Sequence, residues 1–383
     1  MQSVLIVVQT AMVMVLLAGA GLFIRSYIKV VTVDTGFSQS TLTMNISLGE
    51  RYREQQAGRE AYFKSIIDRI GKLPGVSAVG AVSDLPLAKS ESLSTFRVDG
   101  FANQKGQIVE ARSITPQYFD AMHIPLTAGR YFRESDDPGL AHPVIINERF
   151  ARTYFVNRNP IGGHISRDDN HLQWDTVVGV IGDVHHTSLE EPAAPQIYHP
   201  ANGLDSGYIA VRSTLPEPTV VAEIRSTLHA VDPNIAPADI QSMGELMAKA
   251  TAQRRFQTSL LTTFAAIALI LALVGLYGLM AYSVNRRTRE VGIRMALGAQ
   301  RSDVMLLVVQ RAALLLTLGL SAGVLASWFA TRALNTFLFG VKPHDPFTTA
   351  SVCALLAICG LLSALIPARR AASIDPIEAL RTE

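Results

Sequence analysis

The chemistry this sequence can do is concentrated in a few short stretches. Asn285 to Leu297 reads Asn-Arg-Arg-Thr-Arg-Glu-Val-Gly-Ile-Arg-Met-Ala-Leu, with Gly298 as a natural stop and Ser302 as the N-cap of a new helix into the third span. A basic helix with Val291, Ile293, Met295 and Leu297 interleaved would lie at a membrane surface, holding anionic lipid or docking a partner. Near the C-terminus, Asp375-Pro376-Ile377-Glu378 satisfies the logic of a capping box, with Asp375 as cap, Pro376 in the first turn and Glu378 reaching back. A short capped helix there is a second candidate partner contact. His185 and His186 stand side by side with Asp183, Glu190 and Glu191 nearby. Metal binding needs ligands that converge on one point, and this cluster has no recognised spacing, so it reads as a solvated loop. Cys353 and Cys359, six residues apart in an apolar helix, read as small packing residues.

Other chemistry is excluded within these residues. Gly-x-x-x-x-Gly-Lys-Ser/Thr does not occur, so the chain has no phosphate-cradling loop with which to hydrolyse ATP. Gly-x-Ser-x-Gly and His-Glu-x-x-His are missing as well, which removes the simplest hydrolase readings. The net charge of +2 excludes a strongly basic nucleic-acid binder on global balance, and two cysteines cannot form a disulfide framework. No catalytic residue, bound cofactor or metal site is expected.

The elements that must position these stretches are membrane helices. Of 383 residues only 17% are charged, against about 25% in ordinary globular chains. Val4 to Ile24, Leu260 to Ala281, Ala312 to Ala330 and Phe347 to Ile366 are apolar runs of 21, 22, 19 and 20 residues without a charge. Each is long enough for a hydrocarbon core of about 30 Å. The first exceeds a signal-peptide core and is followed, not preceded, by Arg25, so it reads as an uncleaved anchor. In the third span Gly319, Gly323 and Ser327 recur at every fourth position and let another helix approach closely, and Ala268, Ala272 and Gly275 do something similar in the second. Arg311, just before the third span, can snorkel to headgroups.

Between the first two spans lies an island, residues 25–255, with 23 Lys+Arg against 26 Asp+Glu. The connection at 285–311 carries Arg286, Arg287, Arg289, Arg294 and Arg301, and the tail at 367–383 carries Arg369, Arg370 and Arg381, whereas the loop at 331–346 has only Arg332 and Lys342. Positive charge in short loops marks the cytoplasmic side, so both termini face the cytoplasm and the island lies outside. Within it, Glu54 to Leu73 has helical spacing and Thr41 to Leu48 alternates as a half-buried strand. Thr115-Pro116 and Asn147 read as helix starts. Strands are expected at Val144 to Ile146, Thr176 to Ile181, Tyr208 to Arg212 and Asp239 to Gln241, with helices at Thr219 to Val231 and Met243 to Arg255. The expectation is an α+β domain of two lobes between membrane helices 1 and 2.

At Thr288-Arg-Glu-Val-Gly-Ile-Arg-Met-Ala-Leu-Gly-Ala299 and at Pro367-Ala-Arg-Arg-Ala-Ala-Ser-Ile-Asp-Pro-Ile-Glu-Ala-Leu-Arg381 the chain resembles the MacB/FtsX family of ABC-transporter permeases. Asn147 to Phe155, Asn159-Pro-Ile-Gly162 and Val177 to Val184 resemble that family's periplasmic core domain. The resemblance implies four membrane helices in a 1+3 arrangement in a bacterial inner membrane, with a large α+β periplasmic domain between helices 1 and 2. It further implies a dimer, with a second copy or a sister permease, standing on cytoplasmic ABC ATPases, with a periplasmic adaptor as a further partner. ATP would act through the partner ATPase, driving the periplasmic domains through helical stalks, a mode called mechanotransmission. Glu290, Gly292, Arg294, Ala296 and Gly298 would belong to the element that meets the ATPase, with Arg369, Arg370, Asp375 and Pro376 beneath it, as contacts and not catalysts. Family members with a fused ATPase differ from these residues, which resemble one half of the duplicated orphan permeases. The alternative within the resemblance is a regulatory transmitter controlling a periplasmic wall hydrolase. An external domain that is itself an enzyme would need a catalytic set near His185, which the sequence does not offer.

Overall fold

A computed structural model describes residues 2–47, 56–88, 92–101, 107–136, 142–166, 174–201, 204, 206–231, 238–286, 300–333, 340–341 and 345–372. It divides into two compact units, residues 33–251 and the membrane unit formed by residues 1–32 with 252–383.

Strands of the inserted unit are β1 (Leu42–Ser47), β2 (Val76–Val82), β3 (Leu93–Val98), β4 (Gln107–Ile114), β5 (Leu126–Gly129), β6 (Pro143–Asn147), β7 (His164–Ser166), β8 (Trp174–Ile181), β9 (Gln196–Pro200), β10 (Ser206–Ser213) and β11 (Ala238–Ser242). Its helices are α2 (Gln56–Ile70), α3 (Tyr118–Met122), α4 (Glu148–Tyr154), α5 (Glu217–Val231) and α6 (Met243–Ala250). The pairing order β11-β1-β10-β2-β4-β3-β7-β8-β6-β9, with β9 returning to β4 in parallel, closes a ring of six strands from which a four-stranded sheet extends. Two lobes result. The first, β11-β1-β10-β2 under α2 and α5, is made from both ends of the inserted segment and buries Met44, Ile46, Phe63, Ile66, Ile209 and Ile224. The second, the ring with α4, buries Phe96, Val144, Ile146, Phe150, Ile165 and Val177. β6 is buried along its whole length, which is why residues 143–146 run continuously apolar and do not alternate.

Local chemistry places the connections. Asn147 caps α4 by accepting from Phe150 N at 3.0 Å, accepts again from Gln196 N at 2.9 Å, and donates to Ala194 O at 2.9 Å. One buried amide thus fixes both the helix start and the entry to β9. Gly80 lets α3 lie directly on β2, because a Cβ there would stand 2.3 Å from Tyr118 Cα.

Three local expectations need correction. Thr115 is not a helix cap: its hydroxyl accepts from Ala81 N at 2.7 Å and its own N–H donates to Ala81 O at 3.0 Å, so it prolongs the β2–β4 pairing and α3 starts only at Tyr118. The expected helix from Met243 to Arg255 is broken at Thr251, whose hydroxyl donates to Met247 O at 2.9 Å, and a new helix begins at Ala252. Ser302 does not cap the next membrane helix either. Gln300 does so, its N–H donating to Asp303 Oδ2 at 3.0 Å while Asp303 N donates back to Gln300 O at 3.0 Å.

The membrane unit consists of α1 (Gln2–Val31), α7 (Ala252–Arg286), α8 (Arg301–Ala333) and α9 (Pro346–Ala372), each containing a segment long and apolar enough to cross a membrane. All four helices outrun the apolar stretches that announce them, because length beyond the hydrocarbon is limited by hydrogen bonding within the helix and not by hydropathy. α9 continues past Ile366 through Pro367 to Ala372. α1 packs against α7, α8 and α9. Two clusters fill the bundle, one around Ile6, Leu276, Met280, Leu315 and Leu316, the other around Val13, Met14, Val352 and Leu356.

Candidate functional site

Glu290, Gly292, Arg294, Ala296, Gly298, Asp375 and Pro376 lie outside the described residues. Arg369 and Arg370 are described, and they belong to the last turns of α9, where both are exposed. Arg370 Nη1 donates to Tyr277 Oη on α7 at 3.1 Å, while Ser363, two turns earlier, donates from Oγ to Leu273 O at 2.9 Å. α9 is therefore tied to α7 along the end of the bundle that leads into the arginine-rich segment. A hydroxyl-to-carbonyl bond between apolar helices has no water competing for it.

Gly319 and Gly323 face α1. A Cβ on Gly319 would stand 2.7 Å from Thr10 Cβ, and one on Gly323 would stand 2.6 Å from Met14 Cβ and 3.1 Å from Ala11 Cα. Ser327, the next small residue, is buried and donates to Val324 O at 2.9 Å. On α7, Gly275 approaches the Gln9 side chain of α1, whose Oε1 would be 2.8 Å from a Cβ there. α1 is thus clasped by small residues from two neighbouring helices, which sets the separation of helices that hydrophobicity alone cannot set inside lipid.

The inserted domain contains a buried polar knot that sequence reasoning missed. Glu110 and Arg112 sit two apart on β4 and so point to the same face. Their register partners on β9 are Gln196 and Tyr198. Arg112 Nη1 donates to Glu110 Oε2 at 3.0 Å, Thr187 Oγ1 donates to Oε1 at 2.7 Å, and Gln196 Nε2 donates to Val184 O at 2.6 Å and to Glu110 Oε2 at 3.3 Å. The Gln196 amide nitrogen faces two acceptors, so its Oε1 must receive the Tyr198 hydroxyl proton, at 3.0 Å. That proton being committed, the 2.9 Å contact between Tyr198 Oη and His186 Nε2 assigns the ring proton to Nε2. Nδ1 of His186 is buried with no hydrogen-bond partner among the described residues, so a second ring proton is disfavoured and the ring is neutral. Burial, reinforced by the Arg112 charge, holds its pKa well below the usual histidine value, and burial pushes the Tyr198 phenol well up.

This overturns part of the loop reading. His186 is 4% exposed and belongs to the knot, whereas His185 is half-buried and its Nδ1 lies 3.2 Å from Ser188 O. Asp183 is used elsewhere, accepting from Arg149 N at 2.7 Å and pairing with Arg152. The pair Glu110-x-Arg112 within a strand was the available signal, since opposite charges at i and i+2 share one face. The knot closes the strand ring at the β4–β9 pair, and its chemistry is positional. No group of three His, Cys, Asp or Glu able to hold a metal occurs among the described residues. Cys353 and Cys359 are free, half-buried thiols on α9.

Comparison with known proteins completes the site. Residues 4–231 match the MacB-like periplasmic core domain family, and residues 262–376 match the FtsX-like permease C-terminal family. The macrolide export ATP-binding/permease protein MacB of Vibrio parahaemolyticus is 26% identical over 382 residues, 93% of this chain and 55% of that protein. The pyoverdine export ATP-binding/permease protein PvdT of Pseudomonas syringae pv. tomato is 28% identical over 275 residues, 68% of this chain and 40% of that protein. The chain thus spans about half the length of the curated relatives it matches. Among solved structures, the periplasmic region of MacB from Actinobacillus actinomycetemcomitans covers 58% of this chain with 97% of its own length, at 19% identity and a TM-score of 0.40.

Proposed function

The chain belongs to the MacB/FtsX family of ABC-transporter permeases, and from that premise we propose that it is a non-catalytic permease unit that turns ATP hydrolysis into movement of its periplasmic core domain. The hydrolysing cassette lies outside these 383 residues, since they contain no phosphate-cradling loop. Both termini and the arginine-rich segment face the cytoplasm. There Glu290, Gly292, Arg294, Ala296 and Gly298 receive the ATPase, with Arg369, Arg370, Asp375 and Pro376 beneath them. Closure of two cassettes on a dimer of permease units is passed through α1 and α7 to the periplasmic domain, and the product is export or extrusion of a substrate without catalysis by this chain.

One observation supports this reading above the others. α7 is an uninterrupted helix of 35 residues, about 52 Å at about 1.5 Å per residue, whereas about 20 residues cross the hydrocarbon. An unbroken helix longer than the membrane is thick transmits a displacement at one end to the other. Relatives named for export of macrolides and pyoverdine favour transport over a purely regulatory role.

The test is a tagged pull-down from gently solubilised native membranes, followed by ATPase assays on the reconstituted complex. An ABC ATPase should co-purify and be lost with Arg294→Glu, and Glu290→Lys or Gly292→Trp should abolish stimulation of hydrolysis while membrane insertion is unchanged. A folded chain that brings down no ATPase, or unchanged coupling in both variants, contradicts the proposal.

A further inference from the structure

The end of the membrane unit from which α1 leaves for the periplasmic core domain is unexpectedly basic. Arg25, Lys29, Arg254, Arg255 and Arg332 lie on the last turns of α1, the first of α7 and the last of α8, and Asp345 is the acidic residue described at that end of the unit. Arg332 stands at a short external connection, where positive charge is depleted, and Arg25, Lys29, Arg254 and Arg255 flank the long inserted segment at the same end, so five cations gathered there call for a ligand or a structural use. Two have structural uses. Arg25 pairs with Asp345 and lies over the Phe347 ring, 5.3 Å from its centroid, and Arg254 Nη1 donates to Ser26 Oγ at 2.8 Å. Asp345 also caps α9, accepting from Thr348 N at 3.0 Å. Lys29 reaches the Gly340 carbonyl, which brings it no counter-charge, and Lys29, Arg255 and Arg332 are exposed.

Directly below this belt the bundle is hollowed. A slot of about 360 Å³ is bounded by Ala18 and Leu22 of α1, Val324 and Trp328 of α8, and Thr349 and Ala350 of α9. Four hydroxyls border it, and each is spent on its own helix or that helix's cap: Ser327 donates to Val324 O, Thr331 to Ser327 O, Thr348 to Asp345 Oδ2 and Thr349 to Asp345 O. What they present to the slot is therefore hydrocarbon. Leu22, Arg25 and Lys29 are spaced i, i+3 and i+7, so the two cations stand above the slot on the face of α1 that forms its wall. Trp328, Phe329 and Phe347, exposed at 55%, 74% and 71%, mark the same level. Exposed aromatics gather where acyl chains meet headgroups.

We propose that this slot is a binding site for one anionic glycerophospholipid of the outer leaflet. One acyl chain occupies the space between α1, α8 and α9, and the phosphate rests on Lys29 and Arg332. Charge and shape both select this occupant. A zwitterionic lipid fills the slot equally well but gains less from the cations, whose attraction is worth about a fivefold factor in affinity per residue near the surface.

Trp174 and Trp328 are the only tryptophans, so Trp174→Phe in the full chain leaves a reporter on the slot wall. The protein is reconstituted into phosphatidylcholine vesicles containing equal mole fractions of either chain-brominated phosphatidylglycerol or chain-brominated phosphatidylcholine, and quenching of Trp328 is measured. At low salt the brominated phosphatidylglycerol should show about 25-fold tighter apparent binding, about fivefold for each of Lys29 and Arg332, shrinking as salt screens it. Lys29→Gln with Arg332→Gln should bring the ratio to about one while quenching by phosphatidylcholine persists, which shows the bundle intact. Ala350→Phe, which fills the slot, should weaken quenching by both lipids. Equal quenching by the two lipids in the parent, a preference that survives the double substitution, or Ala350→Phe without effect overturns the proposal. So does a Trp328 that neither lipid reaches, which would mean that protein, such as a second copy of this chain, covers the slot.

Discussion

Replacing Gly323 by leucine tests whether α1 and α8 are held at their separation by a backbone approach that only glycine permits. A Cβ at Gly323 would stand 2.6 Å from Met14 Cβ and 3.1 Å from Ala11 Cα, whereas carbon atoms rest at about 3.5–4.0 Å. The helices must therefore part by about 1 Å. A gap of that size forfeits at least about a quarter of each dispersion contact, and a fully buried side chain such as Met14 makes about 40–60 contacts of about 0.1–0.2 kcal/mol. A quarter of that sum is about 2 kcal/mol, within the range of about 1–3 kcal/mol found for overpacking. Lipid on the far side of the helices is as apolar as the seam, so no hydrophobic term restores the loss. Gly278 on α7 is the matched control, because nothing lies within 4 Å of the place its Cβ would take. Leucine there should be neutral or gain up to about 1 kcal/mol of helix propensity. Thermal unfolding of the full chain in one detergent, followed by circular dichroism, should show Gly323→Leu melting roughly 3 °C lower, since the same propensity gain offsets part of its loss, and Gly278→Leu unchanged or higher. Equal midpoints for the two variants would refute the seam argument. A selective loss at Gly278 would show that this face of α7 is covered by a partner.

Two further outcomes follow from the polar knot. Arg112→Met leaves the Glu110 carboxylate buried without its cation and should cost about 3–5 kcal/mol, whereas Arg112→Met with Glu110→Gln removes both charges and should restore at least about 2 kcal/mol of it. Denaturant midpoints read from Trp174 in a Trp328→Phe background measure this, and simple additivity of the two substitutions would contradict the assigned pairing. His186 supplies a pH signature: its folded pKa lies below the ordinary 6.5, so the unfolded chain binds a proton that the folded one refuses. Stability should then fall as pH drops below about 6.5, by up to about 1.4 kcal/mol per unit while native His186 stays neutral. His186→Asn should flatten that slope between pH 6.5 and 5.5 in the same denaturant assay, and an unchanged slope would show that His186 is not the group responsible.

The sequence by itself determined the membrane architecture, because crossing a bilayer is a one-dimensional constraint. A helix inside hydrocarbon must satisfy every backbone hydrogen bond internally and present apolar side chains for about 20 residues, and such runs are visible without knowing what packs beside them. The four spans, the island between the first and second, and its two lobes were legible for that reason. So were Gly319 and Gly323, whose four-residue spacing puts them on one face, and Asn147, whose cap depends on residues three positions away. Contacts between segments distant in the chain were not legible. β4 and β9 lie more than eighty residues apart, and only their pairing brings Glu110 to Gln196 and Arg112 to Tyr198. That pairing turned His186 from a loop residue into a buried neutral donor, and the pairing of β4 with β2 diverted Thr115 from capping a helix to extending a strand pair. The outer-leaflet slot was equally invisible, since Leu22, Trp328 and Ala350 are ordinary membrane residues until three helices leave a gap among them. Local propensity and hydropathy act over a few residues, whereas hydrogen-bond satisfaction and space filling are settled only when remote strands and helices meet.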